Sequence, residues 1–94
     1  MDTKTKGQIL VNYCGGWGYL PKANYVQEAI ENKFPGVFSF ELKSDSGTTG
    51  RLEVTVFLEG DTEGKLVHSK DNGDGFVQDS NVESLLESIG ALLK

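Results

Sequence analysis

The residues of this chain best suited to chemistry gather in one stretch, Val11-Asn12-Tyr13-Cys14-Gly15-Gly16-Trp17-Gly18-Tyr19. It holds the only cysteine, the only tryptophan and three of the twelve glycines. A thiol where an apolar strand runs out and a helix is about to start can face the N-terminal amides of that helix. Those amides favour the thiolate and lower the thiol's pKa. Gly15, Gly16 and Gly18 would let a second sulfur, or a glutathione backbone, approach closely. Cys14 and Trp17 stand in the spacing of a Cys-x-x-(second redox residue) pair, but an indole cannot act as a thiol. The plain alternative is that Cys14 is a small buried hydrophobe, a common fate of free cysteine. Trp17 reads equally as an apolar cap on the loop and as an aromatic wall beside Cys14.

The other reactive residue types form no constellation. His68 is the only histidine. It falls late in a short strand, nothing in the sequence brings it near Cys14, and a surface or half-buried strand histidine is the simpler reading. One Cys and one His give no metal-ligand spacing. Asp71-Asn72-Gly73-Asp74-Gly75 resembles a calcium loop only superficially, because Val82 stands where the closing Glu is required. It reads as a turn. A phosphate-cradling Gly-Lys-Ser/Thr motif is absent.

The elements that must position Cys14 follow from periodicity. Residues 1–7 read as a frayed, solvated terminus. Gln8 to Cys14 is a short β-branched apolar run closed by glycines, which suits a buried strand. Pro21 fits the first turn of a helix, predicted over Ala23 to Lys33 with Val26, Ala29, Ile30 and Phe34 on one stripe. Pro35-Gly36 ends it. Phe38, Phe40 and Leu42 alternate as a half-buried strand. Lys43 to Gly50 reads as a polar turn. In Arg51 to Glu59, Leu52, Val54, Val56 and Leu58 share one face, and Glu53, Thr55 and Phe57 the other. A loop over Gly60 to Gly64 then returns the chain as Lys65 to Ser69, an antiparallel strand. Residues 70–78 form a glycine-containing loop. Ser80 with Glu83 predicts a capping box, followed by a helical stripe of Val82, Leu85, Leu86, Ile89, Leu92 and Leu93. The order β-α-β-β-β-α predicts an α/β two-layer sandwich. Its sheet is four-stranded and mixed, the first βαβ unit is parallel with a right-handed crossover, and the helices pack on the sheet. With the cysteine loop between the first strand and the first helix, this is the layout of a small thioredoxin-like domain.

The bulk numbers bound the function. Ninety-four residues make one domain, and a chain of this size buries roughly 60–65 % of its unfolded surface, enough for one core. A lone cysteine allows no internal disulfide, so a reducing compartment is expected. The polar start, Met1 to Gln8, shows no signal peptide, and no run approaches the roughly 20 apolar residues that span a bilayer. The net charge of −5, spread along the chain, argues against nucleic acid, which needs clustered Lys and Arg.

On the stretch from Val11 to Tyr19 the chain resembles the Rdx group of thioredoxin-like selenoproteins, the selenoprotein W family. The family pattern there is Tyr-Cys-Gly-x-Sec-Gly-Tyr. The resemblance continues through Pro21-Lys22 and Lys33-Phe34-Pro35-Gly36. It resumes at Thr49-Gly50, Glu53-Val54-Thr55-Val56, Gly64 to Lys70 and Gly73-Asp74-Gly75-Phe76-Val77, and so covers nearly the whole chain from residue 9. It implies a thioredoxin-like fold and a cytoplasmic, glutathione-linked antioxidant or thiol-exchange role. Glutathione is then a redox partner rather than a bound cofactor. The resemblance also implies docking to 14-3-3 proteins through the loop; the chain is expected to be a monomer, with no metal and no membrane.

Cys14 takes the place of the family's redox cysteine. Trp17 falls at the selenocysteine position, with Gly15, Gly16, Gly18 and Tyr19 as the surrounding loop. A natural loss, an engineered replacement and a misread UGA codon would all give this residue. Two further departures stand out. Phe57 to Glu63 is longer than the family's tight turn and is expected to extend the hairpin away from the site. Ser44 to Thr49 lacks the proline expected before the next strand. The competing function is a non-catalytic interaction module whose exposed Trp17 and Tyr19 anchor a protein partner.

Overall fold

The computed structural model describes residues 6–16, 18–59, 63–70, 77, 78 and 80–93. Its elements are β1 (Gly7–Tyr13), α1 (Tyr19–Lys33), β2 (Phe38–Ser44), β3 (Leu52–Leu58), β4 (Lys65–Ser69) and α2 (Val82–Leu92). They form one mixed sheet in the order β2-β1-β3-β4. β1 pairs in parallel with β2 and antiparallel with β3, and β3 pairs antiparallel with β4. The expected α/β thioredoxin-like architecture is therefore present, with a parallel βαβ unit and a terminal hairpin.

Strand alternation creates the core. Ile9 and Val11 lie opposite Val56 and Val54, and opposite Phe40 and Leu42 on the other side. This face is covered by Ala23, Val26 and Ile30 of α1 and Leu85, Leu86 and Ile89 of α2. Burying an aliphatic side chain of this kind stabilises by about 1.5–3 kcal/mol. Phe34, just past α1, meets Phe38 edge to face at 6.1 Å between ring centres, which ties the end of the crossover to β2.

Four expectations need correction. Residues 6 and 7 are not a frayed end. The Lys6 N–H donates to Val37 O at 2.7 Å, its carbonyl accepts from Glu59 N–H at 2.9 Å, and Gly7 belongs to β1. A central strand has partners on both sides, so pairing runs past the apolar segment that marks it. Residues 1–5 lie outside the described residues. Helix α1 starts at Tyr19, four residues before the apolar stripe announces it. The capping box is not formed. Asn81, not Ser80, is the N-cap of α2, and its side chain makes no bond to the helix's free amides. Instead Asn81 Oδ1 accepts from Gln78 N–H at 2.8 Å, which closes the turn before the helix.

His68, fourthly, is buried rather than at the surface or half-buried. The β3–β4 register slips between Val54 and Thr55, so Val67 is an extra residue. The bulge breaks strict alternation. His68 falls opposite Val54 on the covered face, while Leu66 falls opposite Thr55 on the open face and is 50 % exposed. The turn readings at residues 60–62 and 71–76, the latter including the calcium-like segment, lie outside the described residues.

Candidate functional site

Topology decides what meets Cys14. β1 ends at Tyr13, which lies opposite Ser44 at the end of β2 and Leu52 at the start of β3. The β2–β3 connection, residues 45–51, must therefore close at the end of the sheet where the cysteine emerges. Leu58, at the other end of β3, lies opposite Gly7, so β3 ends on the side of the sheet away from the site.

The two loops are laced by backbone. Cys14 N–H donates to Arg51 O at 2.8 Å, Gly15 N–H to Gly47 O at 2.9 Å, and Asp45 N–H to Tyr13 O at 2.8 Å. Gly15 is needed for this approach. A Cβ there would sit 2.3 Å from Asp45 O and 2.9 Å from Gly47 O. Gly18, the N-cap of α1, has φ +79°, a left-handed turn that glycine adopts without strain.

The Cys14 side chain is 1 % exposed. Its sulfur accepts from Gly16 N–H at 3.2 Å. The thiol is held below its ordinary value of 9.0 chiefly by the Gly50 amide; burial works against this, and the Gly16 and Thr49 amides add to the lowering. The source of the donors differs from expectation. They come from the segment that follows Cys14 and from the β2–β3 connection, and the described amides of α1 are not among them. Three more residues separate Cys14 from Gly18 at the N-cap, and Pro21 removes one amide from the first turn.

The β2–β3 connection, expected as a polar turn, has its own polar scaffold. Asp45 is gripped by Arg51, whose Nη2 donates to Oδ1 and whose Nε donates to Oδ2 at 3.1 Å. Thr49 Oγ1 donates to the same Oδ2 at 2.5 Å. Arg51 Nη1 also reaches Glu53 Oε1 at 3.4 Å, and Glu53 Oε2 accepts from Ser69 Oγ at 3.3 Å. The Arg51 hydrogen bonds, aided by the Thr49 hydroxyl, hold the Asp45 carboxyl down to about 2. The available signal was topological: the β-α-β-β order already puts this connection beside the cysteine.

The remaining predicted residues divide. Gly15, Gly16 and Gly18 stand in the Cys14 loop as expected. Trp17 lies outside the described residues. Tyr19 is half-buried rather than exposed, and among the described residues the exposed large apolar residue at this corner is Leu20, at 50 %. His68 is on β4, separated from β1 by β3, and is not among the groups hydrogen-bonded to the sulfur. Beside the first turns of α1 lies a cleft of about 520 Å³ whose described lining is Pro21, Lys22, Tyr25, Val77, Gln78 and Ser80. Among the described residues no group of three or more His, Cys, Asp or Glu could hold a metal ion, and no helix is long and apolar enough to cross a membrane.

Comparison with known proteins gives the chain's family. The Rdx family model matches residues 8–88. The chain belongs to the Rdx family. Selenoprotein W of Danio rerio is 42 % identical over 83 residues, covering 87 % of this chain and 90 % of the relative. Selenoprotein W of Mus musculus is 41 % identical over 86 residues, covering 90 % and 91 %. Among solved structures, a selenoprotein W-related protein from Vibrio cholerae superposes with a TM-score of 0.66, covering 90 % of this chain and 98 % of that one. At 17 % identity that likeness concerns the fold alone. The Rdx assignment thus spans β1 to α2 and includes both loops that meet at Cys14.

Proposed function

We propose that this Rdx-family chain is a cytoplasmic thiol redox protein in which Cys14 exchanges with glutathione. The observation that carries the reading is a buried sulfur that accepts from the Gly16 N–H, in a thiol held below its ordinary value. An inert apolar plug needs no hydrogen-bond donors, whereas a thiolate that must exist away from water does. With Trp17 at the selenocysteine position of the family pattern, the chain as written has one redox atom. It acts as a monothiol.

In the exchange, the Cys14 thiolate attacks one sulfur of oxidised glutathione. A Cys14–glutathione disulfide forms, the glutathione disulfide breaks, and glutathione thiolate leaves with the electron pair. With a peroxide, the thiolate takes one oxygen to become a sulfenic acid, and the remaining alkoxide or hydroxide leaves. Donors of this kind raise the fraction of Cys14 present as thiolate when either oxidant arrives. The test is intact-mass spectrometry of the native protein after treatment with oxidised glutathione. The expected product is a single glutathione adduct, absent in Cys14→Ser; no adduct on the unmodified chain overturns the reading.

A second reading is favoured by Leu20, half-exposed at the start of α1. It makes the corner formed by residues 14–20 a docking point for a protein of the 14-3-3 type. Binding of such a partner that survives Cys14→Ser but is lost in Leu20→Ser supports that reading, and the reverse pattern removes it.

A further inference from the structure

We propose that Gly16 sets how large an oxidant can reach the Cys14 sulfur, with the Thr48 side chain as the other wall of the approach. This deepens, and rests on, the reading of Cys14 as the reactive group. Glycine at this position offers space rather than backbone freedom. The described glycines with positive φ are Gly18, Gly36, Gly47 and Gly50. Gly16 is not among them, so an L-residue can take its conformation. What a side chain there would meet is specific. A Cβ on Gly16 would sit 3.3 Å from Cys14 Sγ, 3.3 Å from Thr48 Oγ1 and 3.4 Å from Thr48 Cγ2. The sulfur and the Thr48 side chain thus border one space beside the bare Cα of Gly16. The Gly16 N–H, which donates to the sulfur at 3.2 Å, holds the loop against the thiol there.

Burial gives the direction of the approach. Cys14 is buried, Gly16 is half-buried and Thr48 is exposed, so the line from the sulfur past Gly16 to Thr48 runs from the interior to open surface. The two walls differ in kind. An exposed side chain changes rotamer within picoseconds to nanoseconds, so Thr48 can turn aside, whereas a methyl on residue 16 is fixed to the backbone. Such a methyl would stand 3.3 Å from the sulfur, closer than the about 3.5–4.0 Å of a relaxed contact between heavy atoms. Attack on a disulfide needs three sulfurs in line and room for the group carried by the central one, and its rate depends on access. Hydrogen peroxide carries only a hydrogen on each oxygen and needs far less. The methyl therefore crowds a disulfide more than a peroxide. It should also leave the fold intact, because it meets only side-chain atoms, while one on Gly15 would meet backbone. Position 16 is the one that the family pattern Tyr-Cys-Gly-x-Sec-Gly-Tyr leaves open, so its size is a property in which members can differ.

The experiment measures the rate of Cys14 modification in the full chain with two oxidants, hydrogen peroxide and oxidised glutathione, by intact mass against time. Peroxide gives the sulfenic acid, trapped with dimedone, and hydroxide leaves. Oxidised glutathione gives the mixed disulfide, and glutathione thiolate leaves. Each rate is divided by the thiolate fraction from an ultraviolet titration of the same variant, with folding checked by circular dichroism. Gly16→Ala should slow oxidised glutathione several-fold more than it slows peroxide. Adding Thr48→Ala to Gly16→Ala should return part of the glutathione rate, because the two side chains border the same space. If Gly16→Ala does not fold, Thr48→Leu on the exposed wall carries the test, with the same selectivity expected. Rates that fall equally for both oxidants, or do not fall, overturn the size limit and leave the Cys14 reading standing. A double variant no faster with glutathione than Gly16→Ala overturns the part given to Thr48. A wild-type chain that forms no glutathione adduct overturns the Cys14 reading, and this inference with it.

Discussion

Two loops meet at the Cys14 sulfur, and they advertise themselves in opposite ways. The β1–α1 loop carries the reactive atom among glycines, and its residue types alone suggest chemistry. The β2–β3 connection, Asp45 to Arg51, carries no nucleophile, and its Ser, Asp, Gly and Thr residues are those of any surface turn. Yet its Gly50 amide contributes most to lowering the Cys14 thiol. The difference teaches that one loop supplies side-chain chemistry and the other backbone chemistry. Only the first kind is written in residue identity.

The sharpest way to break this comparison is to push the loops apart. Gly15→Ala places a methyl 2.3 Å from Asp45 O, where backbone must move. We expect a loss of about 1–3 kcal/mol in a urea melt, the usual cost of forced overpacking, together with a Cys14 thiol that titrates nearer its ordinary value. A Gly15→Ala protein of wild-type stability and thiol acidity would mean that the loops do not need each other.

A smaller effect should come from acid. Asp45 sits at about 2 in the folded chain against an ordinary 3.8. A carboxyl lowered by folding contributes stability above its unfolded value, and that contribution is lost as pH falls through the folded one. Stability should therefore decline between about pH 4 and pH 2, and Asp45→Asn should remove this part of the decline. Parallel profiles for the two proteins in chemical denaturation would show that the Arg51 grip contributes nothing to folding.

The smallest change is expected at a site away from both loops. Ser80→Ala should alter stability by less than about 0.5 kcal/mol, as for an ordinary surface position. A working N-cap would cost about 1 kcal/mol. Thermal melts of the single variant distinguish the two.

How much could be read beforehand follows the same division. Period-two alternation marked β2 and β3 because each has one buried face, and the stripe from Leu85 to Ile89 marked α2 because it packs on the sheet. The start of α1 was hidden, since Tyr19-Leu20-Pro21-Lys22 carries no stripe and begins on a glycine turn. Lys6 and Gly7 were hidden because backbone pairing on both sides of β1 needs no apolar side chain. The burial of His68 depends on the extra residue Val67 in β4, and a bulge is set by the partner strand as much as by its own sequence. Cys14 was legible as a candidate. Asp45 and Arg51 were not, because their value comes from the register that places Ser44 and Leu52 on either side of Tyr13.

That register also has a kinetic consequence. β1 is bonded along its whole length to two neighbours, so its amides should exchange with solvent only when the sheet itself opens. The β2–β3 connection lies outside the strands and can open at lower cost. Cys14 is therefore fastened to the slowest-exchanging part of the molecule, while the connection that accepts from the Cys14 and Gly15 amides belongs to a faster one. The lifetime of the bonds that join this connection to Cys14 and Gly15 and the lifetime of the fold are then separate quantities.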